Sequence, residues 1–424
     1  MSFKFIDLFS GLGGFHLGLD QIGGKCVFAA EKNKKLRDLY ISNFTDVSEE
    51  YIASDIRKVD YSSIPEHDVL CAGFPCQPFS QAGKRKGMKD PLNGTLFNSI
   101  LETIDASKNK PRFLILENVP TILTLNDGVY WRKITRSLTK RGYEVDWKIL
   151  SPNEFGIPQI RRRVFLVGAL NGLSHFNWPN YINGRKVLDD FLESKPIEKM
   201  KLSDDKLEVL DLWNYFIKKV EGFDSIGFPI WSHEFGATYP VDVHPIKLDK
   251  DSLRKYKGSY GNKIEFNGEK VVQESLPTYV RDARKPIKKW KASHILRNRA
   301  LYQKNKKWID DWKTKLYKFP HSMQKFEWNC QNEEREIYNK VLQFRPSGVR
   351  VKSKDTIPAL VSMNLTQIPY LPWKERYMTI KEGLSLQGLE NLENLLESRS
   401  ENYVALGNAV NSKLVYYIGK NLIK

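Results

Sequence analysis

The first twenty residues restrict the fold more than any other stretch. Phe3 to Phe9 is an apolar run broken only by Lys4 and Asp7, and it reads as a strand. Ser10-Gly11-Leu12-Gly13-Gly14 follows at once, and Phe15, Leu17 and Leu19 then suggest a helix. A strand, a glycine-rich turn and a helix open a nucleotide-type cofactor site, because glycine lets the backbone approach a ligand closely. The turn is not GxGxxG, so by itself it does not separate a dinucleotide from another adenosine-bearing cofactor.

The pattern then repeats. Cys26 to Ala30 reads as a second strand ending at Glu31, where a carboxylate is placed to accept hydrogen bonds from ribose hydroxyls. Asp55-Ile56 follows a helical stretch, Val69 to Ala72 gives another strand, and Phe113 to Leu116 ends in Glu117-Asn118-Val119. Tyr143 to Leu150 and Arg163 to Val167 complete a βαβ series, which predicts an α/β fold with a mostly parallel sheet covered on both faces.

Two features at strand ends carry chemistry. Gly73-Phe74-Pro75-Cys76-Gln77-Pro78-Phe79-Ser80 is a stiff loop poor in backbone donors, so Cys76 stands on a rigid turn where open α/β sheets place their reactions. Taken alone, such a cysteine is more often a small buried apolar residue. Glu117 occupies the equivalent place on a neighbouring strand and could be a cap or an ion-pair partner, but its pairing with Cys76 favours a functional role. Gln159-Ile160-Arg161-Arg162-Arg163 enters the last strand, and alternation would put Arg161 and Arg163 on one face, suited to a phosphate or a base carbonyl.

Past about residue 175 the alternation stops. The densest basic segment, Tyr279 to Phe319, interleaves lysines and arginines with Trp290, Tyr302, Trp308 and Trp312. In a chain of 424 residues with formal net charge +17 and 12% aromatic residues, this points to a polyanionic partner, nucleic acid rather than a membrane surface. Four cysteines without a CxxC pair indicate neither a disulfide framework nor a zinc site, and a reducing compartment is expected. Met1-Ser2-Phe3-Lys4 runs straight into the first strand, so no signal peptide is expected, and no apolar run approaches membrane-spanning length. Thr379 to Gly388 reads as a helix with Thr379 as N-cap and Glu382 in the capping-box position. The apolar pattern through Leu414, Val415, Ile418 and Leu422 predicts a last helix that returns to the first domain.

These motifs, in this order, resemble the DNA cytosine-5 methyltransferases of bacterial restriction–modification systems. The resemblance runs from Phe5-Ile6-Asp7-Leu8-Phe9-Ser10-Gly11-Leu12-Gly13-Gly14 through the Pro-Cys loop, Glu117-Asn118-Val119 and Gln159 to Arg163, and resumes at Arg345 to Leu360 and Gly407-Asn408-Ala409-Val410. It implies a Rossmann-like S-adenosylmethionine-dependent domain over residues 1–180, completed by 400–424. A smaller target-recognition domain over 181–375 and a linking helix region over 376–399 complete the layout. The resemblance surrounds the cofactor with Phe9, Gly11, Gly13, Glu31, Asp55, Ile56, Gly73, Pro75, Leu96, Asn408, Ala409 and Val410. Its catalytic set is Cys76 as nucleophile, Glu117 on the base, Arg163 on its O2 side, and Arg161, which more naturally meets a backbone phosphate. DNA contacts are expected from Ser80, Lys84, Arg85 and Arg350, with 81–87 as a closing loop, and no metal is required. The expected product is 5-methylcytosine in duplex DNA, made by a cytoplasmic monomer that protects DNA from a cognate restriction endonuclease. The alternatives are an enzyme acting on transfer RNA with the same scaffold and a non-catalytic DNA-binding relative. The region between Arg163 and Arg345 is long for the smaller members, so the base-reading residues and the target sequence are not assigned.

Overall fold

A computed structural model describes residues 2–75, 96–182, 187–197, 199–222, 227–281, 286–360 and 367–423. Cys76, Ser80, Lys84 and Arg85 lie outside the described residues. The chain divides into two compact units: Met1–Ile197 with Asp355–Leu365 and Met378–Lys424, and Glu198–Lys354 with Thr366–Tyr377.

In the first unit the chain runs β1 (Phe3–Leu8), α1 (Gly14–Asp20), β2 (Gly24–Ala30), α2 (Lys34–Asn43), β3 (Ile52–Ala53) and β4 (Val69–Gly73). It continues with α3 (Leu96–Ala106), β5 (Phe113–Asn118), α4 (Val129–Thr139), β6 (Glu144–Leu150), β7 (Gln159–Ile160) and β8 (Arg163–Ala169). Seven strands form one sheet in the order β3-β2-β1-β4-β5-β8-β6. Val69, Leu70, Cys71 and Ala72 are all fully buried. A strand covered on both faces needs such an unbroken apolar run rather than alternation.

The βαβ series stops one strand earlier than the sequence pattern implies. β1 to β5 are parallel where they pair, but β8 is antiparallel to both β5 and β6. The connection from Leu150 to Arg163 holds a short 3-10 turn at Pro152–Phe155 and left-handed Gly156, with no crossover helix. A parallel return needs such a crossover, so the strand comes back antiparallel.

The C-terminal segments return to this unit. Ile357–Pro358 pairs in parallel with β7. The helix Ile380–Gln387 carries the expected capping box, Thr379 accepting from the Glu382 amide and Glu382 accepting from the Thr379 amide, and it ends at left-handed Gly388. The last helix, Ser412–Leu422, packs on α1 so closely that a β-carbon at Gly18 would stand 2.6 Å from that of Val415.

The second unit holds a six-stranded sheet ordered Arg376–Tyr377, Tyr370–Leu371, Val341–Arg345, Gly348–Lys352, Lys325–Asn329, Ile230–Trp231. Beside it stand the helices Asp204–Lys219 and Lys289–Leu316. Trp213 stacks on Phe326 at 4.8 Å and meets Trp312 edge-on at 5.1 Å. Two aromatics of the basic segment, Tyr302 and Trp312, are thus buried anchors of the fold. The unit also buries the Glu234 carboxylate, which accepts hydrogen bonds from Tyr239, Tyr279 and Arg299.

Candidate active site

The turn after β1 is shaped by backbone that favours glycine. Phe9, Gly11 and Gly13 have φ of 62°, 54° and 78°. A β-carbon on Gly13 would lie 2.3 Å from the Phe44 ring, whereas one on Gly11 would meet open space. The Gly11 amide donates to Glu31 at 3.0 Å and the Asn33 amide donates to the other Glu31 oxygen at 2.7 Å. Burial pushes the Glu31 carboxyl up, opposed by those two amides. Glu31 therefore ties the end of β2 to the glycine turn. Nearby, Ile56 is buried, and Asp55 holds Arg57 in an ion pair at 2.5 Å that lowers the Asp55 carboxyl to about 2.

A second cluster forms at the carboxyl ends of β4 and β5, where Gly73 and Glu117 are register partners. The Arg163 Nε donates to Glu117 at 3.0 Å, with both side chains largely shielded. Burial holds the Glu117 carboxyl above its ordinary range, against the pull of Arg163 and Arg161. A β-carbon on Gly73 would stand 3.1 Å from Val410, 3.6 Å from Phe15 and 3.9 Å from the Glu117 carboxylate. Thus Gly73, Phe15, Glu117 and Val410 surround one small space, and Phe74-Pro75 leads from its rim toward Cys76.

Arg161 is elsewhere than expected. The chain breaks between β7 and β8, so strand alternation does not govern Arg161 and Arg162. The Arg161 side chain is 2% exposed and donates to the backbone carbonyls of Gly407 at 3.0 Å and Ala409 at 2.8 Å. It clamps the C-terminal segment, and a guanidinium buried in that way does not reach a DNA phosphate. That role is corrected. The same clamp positions the expected C-terminal residues: Ala409 is buried, Val410 lies against Gly14 and Gly73, and Asn408 is exposed at the end of its helix. Leu96 is buried in the core with Phe97.

In the second unit, Arg350 pairs with Glu327 at 2.8 Å, on a sheet face shared with Arg345 and Lys352. Burial lowers both Arg345 and Lys352, and Arg350 adds repulsion to each. Sequence reasoning passed over Asn118, whose amide donates to the Phe74 carbonyl at 3.1 Å. The available signal was a second polar residue directly behind Glu117 at the end of an apolar strand. Arg345 was likewise not singled out, although its period-two spacing from Gln343 puts it on the Arg350 face.

Comparison with known proteins gives the family and the fold. The family model for C-5 cytosine-specific DNA methylase matches residues 3–424. The type II methyltransferase M.NlaX of Neisseria lactamica is 37% identical over 268 residues, 62% of this chain and 82% of that protein. M.MspI of Moraxella sp is 44% identical over 192 residues, but the match spans only 45% of this chain and 44% of M.MspI. M.AluI of Cellulosimicrobium cellulans is 27% identical across 98% of this chain and 91% of its own length. Among solved structures, the Entamoeba histolytica methyltransferase EhMeth aligns with a TM-score of 0.54 and 15% identity, covering 100% of this chain and 98% of that one. The S. pombe Dnmt2 methyltransferase gives 0.50 and 19%, covering 99% and 98%. At these identities the structural likeness shows the fold.

Proposed function

The chain belongs to the C-5 cytosine-specific DNA methylases, and from that premise we propose that it methylates C5 of a cytosine flipped out of a specific double-stranded DNA sequence, using S-adenosylmethionine. The observation that carries the reading is the shielded Glu117–Arg163 pair facing Gly73, with the Pro-Cys loop leaving from that same strand end.

The turn fits the cofactor. Open space beside Gly11, a carboxylate held at the end of β2 and buried Ile56 suit a ribose and an adenine, and Phe9 and the 408–410 segment border the same region. Glu31, Phe9, Gly11, Gly13 and Ile56 would hold the adenosine end, and Gly73, Pro75, Leu96, Asn408, Ala409 and Val410 would enclose the rest. Asp55 would have to share its carboxylate with Arg57. When bound, S-adenosylmethionine supplies an electrophilic sulfonium methyl.

The residues then divide the work. Cytosine C5 is a poor nucleophile, and addition of a Cys76 thiolate to C6 converts the ring to an enamine with an electron-rich C5. Glu117, whose pKa burial raises, in its acid form donates to N3 and accepts from the N4 amino group, offsetting charge on the ring. Arg163 holds the O2 side. Once C5 carries its methyl, loss of the C5 proton lets the C6–S bond break and frees Cys76. Flipping the base costs a few kcal/mol. Contacts from the second unit, including Arg350, and from Ser80, Lys84 and Arg85 would compensate.

On this reading the first unit is catalytic and the second recognises the target. The enzyme acts as a cytoplasmic monomer that protects DNA from a cognate endonuclease. Tritiated methyl transfer to duplex DNA and to bulk transfer RNA tests the substrate, and bisulfite sequencing of DNA from expressing cells gives the modified base and its context. Transfer to DNA that disappears in Cys76→Ala while DNA binding persists is expected. Incorporation into RNA alone, or methylation retained by Cys76→Ala, overturns the reading.

A further inference from the structure

The helix Lys289–Leu316 divides into two parts by charge. Its last third follows the usual surface pattern: Lys306 and Lys313 pair with Asp310, and Lys315 pairs with Asp311. Residues 288–307 contain no carboxylate at all. Arg299 is used internally, against buried Glu234 at 3.0 Å. Lys289, Arg297, Lys304 and Lys307 are exposed and make no ion pair among the described residues.

These four are not scattered. At about 100° per residue they fall within a sector of about 80°, opposite the buried face of Ile295, Asn298, Tyr302, Asn305 and Ile309. At 1.5 Å per residue the stripe is about 27 Å long. Arg297 is steadied over the Phe228 ring at 5.7 Å, and the Lys304 amine lies against Gly222. Exposed Trp290 stands at the upstream end, just outside this sector.

A helix selected only for stability gains from i,i+4 carboxylates and loses from like charges on one face. This one has such carboxylates where the stripe ends and none along it. A membrane surface would need a continuous apolar sector beside the cations, but the apolar face here is spent on the core, and beside the stripe Trp290 and Leu296 are isolated exposed apolar side chains. A linear polyanion with closely spaced charges matches a straight row of unneutralised cations. We propose that the stripe Lys289, Arg297, Lys304, Lys307 lies along the phosphate backbone of duplex DNA and extends the enzyme's footprint without reading bases. The inference rests on the DNA-methylating reading above.

The test is the salt dependence of duplex binding, followed by fluorescence anisotropy with the full-length protein. Replacing Arg297, Lys304 and Lys307 by Gln should make the slope of log affinity against log salt shallower by about 2–3, near 0.9 per lost phosphate contact. The target sequence found by bisulfite sequencing should not change, because phosphate contacts carry no base information. The matched control neutralises Lys108, Lys110 and Lys140, which precede the amino ends of β5 and β6, at the opposite end of β5 from Glu117. An unchanged slope in the stripe variant overturns the inference, as does an equal change in the control. A slope that falls for transfer RNA but not for duplex DNA overturns it too, and reassigns the stripe to RNA. If the wild-type protein methylates no DNA yet its duplex binding depends on the stripe, the catalytic reading fails and the stripe assignment stands.

Discussion

The Asn118 side chain joins the two strand ends that carry the chemistry: its amide donates to the Phe74 carbonyl at 3.1 Å while its oxygen accepts from the Val119 amide at 2.9 Å. Asn118 and Phe74 are both buried, so bulk water cannot replace the bond between them. The bond fixes the backbone two residues before Cys76 relative to Glu117, which directly precedes Asn118. Asn118→Ala leaves the Phe74 carbonyl unpaired, at about 1–3 kcal/mol of stability. Misplacing a nucleophile by about 1 Å costs about 100-fold in rate. We expect kcat to fall by about that factor with DNA affinity nearly unchanged. Stopped turnover assays beside anisotropy titrations separate the two, and an equal loss in both would assign Asn118 to DNA binding.

Glu117 predicts a pH limb of definite sign. Burial raises its pKa, so the native state holds the proton more tightly than the unfolded chain does. Its contribution to stability is therefore largest at low pH and declines as pH rises from the ordinary carboxyl value through the raised one. Activity that needs the acid form follows the same direction and falls as pH passes the raised pKa. Glu117→Gln keeps an N–H donor and a carbonyl acceptor but cannot give up a proton. It should reduce kcat by about 100-fold or more and abolish this limb of the kcat profile. An unchanged profile in the variant would assign the limb to another group.

Arg161 predicts stability rather than DNA affinity. Replacement by Met removes the donors to Gly407 and Ala409, leaving buried carbonyls unpaired at about 1–3 kcal/mol each. Urea unfolding should show a loss of about 3–5 kcal/mol, the range for breaking a buried charged network. The salt slope of DNA binding, measured at a temperature where the variant is folded, should be unchanged. A shallower slope would restore a phosphate contact.

The parts of the site that were legible in the sequence are local. Gly11, Gly13 and Glu117 lie at the ends of single apolar runs, and the geometry of such ends follows from a strand and the turn behind it. Arg161 was misread because alternation was extended across Arg161-Arg162, where the chain leaves β7 and has not yet entered β8. The antiparallel course of β8 depends on a connection too short and too rich in proline for a helix, information that lies in the linker rather than the strand. The sheet of the second unit pairs Ile230–Trp231 with Lys325–Asn329 across almost a hundred residues. No periodicity within either two- or five-residue strand encodes that partner. In the basic segment, Tyr302 and Trp312 turned inward because they share the helix face of Ile295 and Ile309, while Trp290 lies off that face.

Two glycine substitutions at one junction should have opposite outcomes, and together they test how the C-terminal segment completes the first unit. Gly14 is the first residue of α1, where alanine would ordinarily favour the helix by up to about 1 kcal/mol. Here a β-carbon would stand 2.1 Å from the Val410 carbonyl oxygen, and backbone has no rotamer by which to yield. Gly14→Ala should therefore destabilise the protein by about 2–3 kcal/mol and weaken S-adenosylmethionine binding, because Val410 must move away. At Gly73 the nearest atom would be a Val410 methyl at 3.1 Å, a side chain that can shift by a few tenths of an ångström. Gly73→Ala should fold with a loss of less than about 1.5 kcal/mol, but it narrows the space between Val410 and Glu117, so transfer should fall while stability holds. Thermal unfolding with and without S-adenosylmethionine, set beside initial rates, distinguishes the pair. If Gly14→Ala proves as stable as the wild type, the close seat of Val410 on α1 is wrong, and with it the placement of 408–410 beside the glycine turn.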